Sequence, residues 1–220
     1  GAVTDDTADS ALMLILMTAR RASEGERMVR AGKWEGWHPT QMLGLHLSGK
    51  RLGIVGMGRI GQAIAKRAHF GFGMQVAHFN RSKKDVDVPA TQLLSLKTLV
   101  SNVDILVVAV PGGPETKHII NAQVFKDMQP HAHFVNIARG DVVDENALIT
   151  ALQTGEIAGA GLDVYENEPS VPDALLKLEN VSLLPHLGTA ALEVRTAMGM
   201  MAVENIRAFF KGQEVQNRVA

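Results

Sequence analysis

The chain has 220 residues, with 22 Lys and Arg against 23 Asp and Glu, so its formal net charge is −1. This balance argues against a charge-driven nucleic-acid-binding protein and against a protein drawn to anionic membranes. The absence of cysteine excludes disulfides, thiolate zinc sites and a cysteine nucleophile. The longest apolar stretch, residues 11–19, is too short to cross a bilayer, and no cationic signal-peptide region precedes it. We therefore expect a soluble, cytoplasmic globular protein.

The N-terminal part of the chain, residues 1–47, is predicted to be a helical arm. A helical pattern covers residues 7–31 and ends at Gly32, and an irregular stretch with both tryptophans, Trp34 and Trp37, follows it. Because this arm precedes the first strand, we expect it to pack on another lobe or subunit and not on its own sheet. A lone chain would expose its aromatic face, which predicts a homodimer formed through the arm.

Residues 48–187 alternate short apolar runs with helical patterns, as is typical of an α/β fold with a parallel sheet. Six runs predict strands buried on both faces: residues 51–55, 75–79, 105–110, 133–137, 158–164 and 181–184. The helical patterns between them cover residues 60–69, 93–100, 122–126 and 145–154. Right-handed crossovers would place these helices on both faces of the sheet.

A glycine-rich loop, GMGRIG at residues 56–61, joins the first predicted strand to the following helix. Its spacing and context are those of a dinucleotide-binding fingerprint. Gly56 would permit the tight turn, Gly58 the approach of a pyrophosphate, and Gly61 close helix packing. A glycine turn can also serve steric needs alone. The context nevertheless predicts a Rossmann-type doubly wound sheet that binds a nucleotide at a helix N-terminus.

The second predicted strand ends without the acidic residue that normally binds the adenosine ribose. Asn80 stands there instead, and Arg81, Ser82, Lys83 and Lys84 follow it. Cations and a hydroxyl suit a ribose with a 2′-phosphate, although a solvated basic turn is the simpler alternative. The pattern predicts a preference for NADP(H), with NAD(H) as the second cofactor.

Three polar residues follow predicted strands at the edge where ligands bind in such sheets: Arg139, Glu168 and His186. Arg139 could hold a substrate carboxylate and polarise the adjacent carbonyl, and His186 could donate the proton that accompanies hydride addition. Glu168, on the other imidazole nitrogen, would favour the protonated ring. Each alone could be structural, but together they predict a reductive site. Among the remaining histidines, only His131 and His133 are spaced as metal ligands could be. Because they flank the start of a predicted strand, a structural role is expected for them and no metal site is predicted.

A C-terminal helix is predicted over residues 190–211, with Gly212 ending it. Met198, Met200 and Met201 lie within it, and core packing is their expected role.

The chain resembles the D-isomer-specific 2-hydroxyacid dehydrogenases, and most closely the glyoxylate/hydroxypyruvate reductase branch. The resemblance is carried by VGMGRIGQ (55–62), VPGGPET (110–116), VNIARGDVVD (135–144), and GLDVYENEP (161–169) with PHLG (185–188). It implies hydride transfer from a nicotinamide cofactor to a small 2-oxo acid such as glyoxylate or hydroxypyruvate, which becomes the D-2-hydroxy acid.

The resemblance also implies roles for individual residues. Arg139, Glu168 and His186 would be catalytic, and Arg139, His186 and a partner subunit's Trp37 would bind substrate. The cofactor would be lined by Gly56, Gly58, Arg59, Ile60, Gly61, Asn80, Arg81, Ser82, Lys83, Val110, Pro111, Thr116, Ile137, Ala138, Arg139, Asp163, His186 and Gly188.

Members of this family begin with a substrate-binding lobe of on the order of 100 residues, which implies that the chain is a fragment. Residues 188–220 would return towards that lobe. Two other functions stay open: a nucleotide-sensing, corepressor-like module without catalysis, and a phosphite-type dehydrogenase. A binding module would not need the proton donor His186. Glu168 argues against a formate dehydrogenase, in which an amide replaces it, but not against phosphite oxidation.

Overall fold

The apolar runs of the sequence form one parallel sheet in the computed structural model, which describes residues 2–216. Its seven strands are β1 (Arg51–Val55), β2 (Gln75–Phe79), β3 (Ala90–Leu93), β4 (Ile105–Val108), β5 (His133–Asn136), β6 (Gly159–Leu162) and β7 (Val181–Leu183). They lie in the order β3-β2-β1-β4-β5-β6-β7, with every neighbouring pair parallel. The order reverses between β1 and β4, so a crevice suited to a ligand opens beyond their carboxyl ends.

Helices cover both faces of this sheet. They are α1 (Thr4–Ala19), α2 (Ala22–Arg30), α3 (Arg59–Phe72), α4 (Leu96–Val100), α5 (Ala122–Asp127), α6 (Glu145–Thr154), α7 (Asp173–Leu176) and α8 (Leu192–Phe210). Alternate residues of β4 belong to different cores: Ile105 and Val107 pack with α1 and α3, whereas Leu106 and Val108 pack with α4, α5 and α6. The predicted doubly wound fold with helices on both faces is confirmed.

The predicted strands are all present, although the last four end earlier than expected. Strand β3 was not predicted from the sequence, and the prediction of a helix beginning at Leu93 is wrong, because Leu93 is the last residue of that strand. β3 lies at the edge, pairs only with β2, and its residues are half-buried or exposed, so it lacks the continuous apolar run of a central strand. The helix begins at Leu96, where the Ser95 hydroxyl accepts the Thr98 N–H.

The N-terminal arm differs from its prediction in two ways. It is two helices and not one, because the chain turns at Arg21, whose φ is 54°. The expectation that the arm packs away from its own sheet is wrong for α1, which buries Ala11 and Ile15 against α3, β5 and β6. A side chain at Gly161 on β6 would approach within 3.0 Å of Leu14 Cβ, so this glycine lets the helix lie close to the strand.

The second half of the arm is exposed. α2 buries none of its residues, and Trp34 and Trp37 are 54% and 80% exposed.

The C-terminal helix α8 also departs from its prediction. Only Val194 is buried in it, and Met198, Met200 and Met201 are exposed, so their expected core packing is wrong. Neither α8 nor any other described helix is both long and apolar enough to cross a membrane. Gly1 and residues 217–220, which belong to the predicted segments 1–47 and 188–220, lie outside the described residues.

Candidate active site

The glycine loop between β1 and α3 leaves space where an anionic group could approach the backbone. Gly56 has a φ of 99°, and a side chain there would meet the Ala109 carbonyl at 2.8 Å. A side chain at Gly61 would meet the Gly56 carbonyl at 2.2 Å. Gly58 differs, because a Cβ there would have no atom within 4 Å. Gly56 is thus required by its backbone conformation and by the neighbouring Ala109, Gly61 is required by the turn itself, and Gly58 keeps open the space in front of the turn.

The open space faces the start of α3. Gly58 precedes the helix and supplies no side-chain cap for its first N–H groups, while the first helical hydrogen bond runs from Gln62 N–H to the Gly58 carbonyl. Arg59 is exposed and Ile60 half-buried at this end. Unpaired amides, the positive end of the helix dipole and the missing side chain together fit a pyrophosphate.

Asn80, in the place of the ribose-binding acid, is tied to the glycine loop. Its Oδ1 accepts the Met57 N–H at 2.8 Å and lies 3.2 Å from His78 Nδ1. Burial lowers the pKa of His78 more than its bond to Asn80 raises it, so this imidazole is neutral. The side-chain oxygen of Asn80 is therefore already hydrogen-bonded within the protein, whereas its side-chain NH₂ group stays available as a donor to a ligand.

The basic turn after β2 is shaped by a residue of β3. Gln92 accepts the Lys84 N–H through Oε1 and donates through Nε2 to the Ser82 carbonyl, both at 3.0 Å. Arg81 in this turn pairs with Glu115 of the loop after β4. Neither Gln92 nor Glu115 was predicted as a site residue. Gln92 lies on the unpredicted strand, and the Glu115 pair joins residues 34 positions apart.

The loop after β4 lies against the stem of Arg139. Thr116 Oγ1 donates to the Pro111 carbonyl at 2.6 Å, which closes the loop that begins at Val110. A side chain at Gly112 would come within 2.8 Å of Arg139 Cγ. The structure thus brings the predicted cofactor-lining loop and the predicted catalytic arginine together.

Asn136 holds the turn that presents Arg139 after β5. Its Oδ1 accepts the Ala138 N–H and its Nδ2 donates to the Arg139 carbonyl, each at 3.0 Å. Ile137 and Ala138 are buried between these anchors, and the Arg139 side chain is exposed. Asn136 belongs to one of the family-like motifs but was not predicted as a site residue. A buried amide directly before an exposed arginine is the signal that could have identified it.

Glu168 and His186 form a hydrogen-bonded pair across 18 residues of sequence. Glu168 Oε2 lies 2.8 Å from His186 Nδ1, and Glu168 Oε1 accepts the Tyr165 N–H at 3.0 Å. Burial raises the pKa of Glu168, but the bonds from His186 and Tyr165 and the charge of Arg139 outweigh it, so the net pKa is lowered. Arg139 is thus close enough to influence the pair, and Glu168 is ionised at neutral pH.

Asp163 anchors the segment that contains His186. Its carboxylate oxygens accept the N–H groups of Leu187 at 2.6 Å and Gly188 at 2.8 Å, and its carbonyl accepts the His186 N–H at 3.0 Å. The resemblance implies that Asp163 lines the cofactor, and in this structure its buried carboxylate is bonded to backbone. Trp37, on the arm before β1, is 80% exposed and takes part in none of the hydrogen bonds that join these residues. Within residues 2–216, no group of three or more His, Asp and Glu side chains could hold a metal ion.

Most of the chain, including the residues of this site, is similar to proteins of one known family. The family described as D-isomer specific 2-hydroxyacid dehydrogenase, NAD binding domain, matches residues 12–188. A glyoxylate reductase of Thermococcus litoralis is 46% identical over 226 residues, which cover 100% of this chain and 68% of the relative. A hydroxyphenylpyruvate reductase of Plectranthus scutellarioides is 47% identical over 211 residues, covering 96% and 66%.

Solved structures agree with these relatives. An NADPH-dependent glyoxylate/hydroxypyruvate reductase from Sinorhizobium meliloti, in complex with NADP and malonate, superposes with a TM-score of 0.93 at 42% identity, covering 100% of this chain and 68% of the other. The chain spans about two thirds of the length of the curated relatives it matches. The resemblance carried by the motifs is confirmed: this chain belongs to the D-isomer-specific 2-hydroxyacid dehydrogenase family.

Proposed function

We propose that this chain is the cofactor-binding part of an NAD(P)H-dependent reductase that converts a small 2-oxo acid, such as glyoxylate or hydroxypyruvate, to the D-2-hydroxy acid. The observation that carries this proposal is the Glu168–His186 pair beside Arg139, at the sheet edge where the glycine loop offers an anion cradle. The names of the relatives, glyoxylate reductase and hydroxyphenylpyruvate reductase, support the substrate class.

Arg139 is the proposed anchor for the substrate carboxylate. Its guanidinium is permanently charged and exposed, and it can bind a carboxylate through two parallel N–H groups. The same charge polarises the adjacent carbonyl and stabilises the negative charge that develops on its oxygen. A nicotinamide cofactor held through its pyrophosphate by the glycine loop would supply the hydride.

His186 is the proposed proton donor. Its Nδ1 is occupied by Glu168, so Nε2 is the nitrogen that faces a substrate oxygen. The ionised Glu168 carboxylate favours the protonated ring and fixes its orientation. Asp163 holds the backbone on both sides of the imidazole and acts as a positioning residue.

The remaining proposed cofactor contacts come from the ends of the strands next to the crevice. They are Gly56, Gly58, Arg59, Ile60, Gly61, Asn80, Arg81, Ser82, Lys83, Val110, Pro111, Thr116, Ile137, Ala138 and Gly188. NADP(H) is the preferred cofactor in this proposal, with NAD(H) as the alternative, because Asn80 replaces an acid and cations follow it. The NADPH-dependent relative from S. meliloti supports the assignment.

The proposed domain organisation is inferred from the surfaces that the structure leaves exposed. Residues 48–187 form the nucleotide-binding domain, and the exposed half of the 1–47 arm pairs two subunits, so that Trp37 reaches the partner's substrate site. The exposed tryptophans and the absence of buried residues in α2 support this arrangement. The apolar side chains of α8 are the surface on which a substrate-binding lobe would pack.

A substrate panel tests the proposed reaction. The purified full-length protein is given glyoxylate, hydroxypyruvate and larger 2-oxo acids with NADPH or NADH, and phosphite with NADP⁺ or NAD⁺. We expect turnover of the small 2-oxo acids. Nucleotide binding without turnover of any 2-oxo acid would indicate the sensing module, and turnover of phosphite alone would indicate the phosphite-type enzyme.

A further inference from the structure

An ion pair crosses the carboxyl end of β1. Arg81 follows β2 and Glu115 lies in the loop after β4, and these two strands are the neighbours of β1 on either side. The pair therefore bridges the two loops that flank the glycine loop. Both side chains are about three-quarters exposed, so the pair is accessible to a ligand that arrives at this edge.

Hydrogen bonds within the two loops fix the backbone positions of the two paired residues. Gln92 fixes the backbone of the basic turn on both sides of Lys83, and Asn80 ties the start of that turn to Met57 of the glycine loop. On the other side, Thr116, the residue after Glu115, donates to the Pro111 and Gly113 carbonyls. Arg81 and Glu115 thus project from anchored segments towards one another.

We propose that Glu115 is a specificity-determining residue that sets the discrimination between 2′-phosphorylated and unphosphorylated adenine nucleotides, by competing with the 2′-phosphate for Arg81. The inference rests on the proposed function, in which the basic turn receives the adenosine ribose. An exposed ion pair contributes little free energy, whereas a charge-assisted hydrogen bond to phosphate is stronger. Arg81 therefore exchanges the Glu115 carboxylate for the 2′-phosphate when a phosphorylated nucleotide binds.

Glu115 lowers the free energy that is gained when Arg81 binds the 2′-phosphate, and it does so in two ways. The Glu115–Arg81 pair must be broken, and the freed carboxylate then repels the incoming phosphate. With an unphosphorylated ribose, the ion pair is undisturbed. No ion pair of the described residues involves Lys83 or Lys84, so the effect of Glu115 is exerted through Arg81.

Calorimetric titration of the purified protein with 2′,5′-ADP and with 5′-AMP tests this inference without reference to turnover. The variants are Glu115→Gln, Arg81→Ala and the double variant, and Glu204→Gln on exposed α8 is the control for the same change of net charge. We expect Glu115→Gln to tighten 2′,5′-ADP binding by about three- to fivefold and to leave 5′-AMP binding within about twofold. In the Arg81→Ala background, the same substitution should give no gain.

Two results would overturn the inference, and they are distinguishable. If the parent binds 2′,5′-ADP through Arg81 but Glu115→Gln leaves that binding unchanged or weakens it, the role of Glu115 is wrong and the proposed cofactor site stands. If the parent binds neither nucleotide, the proposed site is wrong and the inference falls with it. Because Glu115 is exposed, its substitution is not expected to alter the fold, which thermal melting would verify.

Discussion

His186 Nδ1 lies 2.8 Å from Glu168 Oε2, and this bond leaves Nε2 as the imidazole nitrogen that can exchange a proton with a ligand. His186 also has a φ of 55°, a conformation that Asn tolerates better than most side chains. Replacing it by Asn therefore removes the imidazole at low backbone cost. We expect His186→Asn to lower kcat by about 10² or more and to leave nucleotide affinity nearly unchanged, because the imidazole acts on the substrate proton. Steady-state kinetics and nucleotide titration measure the two effects, and a kcat within tenfold of the parent would contradict the assignment.

Glu168→Gln is expected to shift the pH dependence of reduction. The lowered pKa of Glu168 keeps it ionised at neutral pH, and its negative charge favours the protonated imidazole that reduction requires. Without that charge the alkaline limb of the kcat profile should move to lower pH. Glu166→Gln is the matched control, because Glu166 pairs with His118. An unchanged limb in Glu168→Gln, or an equal shift in both variants, would make Glu168 a turn residue only.

His133 is expected to make the folded state less stable in acid. Its ring lies between β5 and α1, with Nδ1 2.9 Å from Thr18 Oγ1, and burial followed by the nearby His131 lowers its pKa to about 4. The unfolded state, with an ordinary histidine pKa near 6.5, binds more protons between pH 4 and 6.5, so stability falls as the pH drops through this window.

The size of this effect can be isolated with a variant that does not titrate. Between pH 7 and pH 5 the parent should lose about 2 kcal/mol more unfolding free energy than His133→Asn, which retains a hydrogen-bonding group near Thr18. Urea denaturation at the two pH values gives the comparison. Equal losses in the parent and the variant would show that His133 is not the titrating group.

The preference for NADPH is expected to depend on the turn after β2. One well-placed contact from Arg81 to a 2′-phosphate implies roughly tenfold or more in discrimination, and an acid at position 80 would repel that phosphate. The ratio of kcat/KM for NADPH to that for NADH should therefore exceed one in the parent and fall in Arg81→Ala combined with Asn80→Asp. An undiminished ratio in the double variant would mean that the turn is only a solvated loop.

The exposed tryptophans are expected to support dimer formation. Light scattering should give a dimer for the parent, and Trp34→Ser with Trp37→Ser should raise the dimer dissociation constant by about tenfold or more. Phe70→Ser, at an exposed aromatic residue of α3 outside the arm, is the control. A stable monomer for the parent, or an equal effect of the control, would argue against the arm as the interface.

The sequence by itself determined the central sheet and the positions of its ligand-binding edge. Strands buried on both faces must be continuous apolar runs, and the positive φ of Gly56 and the close approach of Gly61 to the Gly56 carbonyl arise within one strand–turn–helix unit. Polar residues that directly follow such strands, Arg139 and His186 among them, are therefore assigned to one edge by the sequence pattern alone. These features depend on local pattern and chain direction, which a single sequence contains.

Only the tertiary structure decided which surfaces meet. Helical periodicity shows that α1 has an apolar side but not that Gly161 of β6 admits it onto its own sheet, and it does not show that the methionines of α8 stay exposed. The edge strand β3, which contains Gln92, was not predicted because a half-exposed strand lacks a continuous run of apolar residues. The Arg81–Glu115 and Asp163–Gly188 contacts join distant positions through the strand order, and that order is set by packing of the whole sheet, not by any local stretch of sequence.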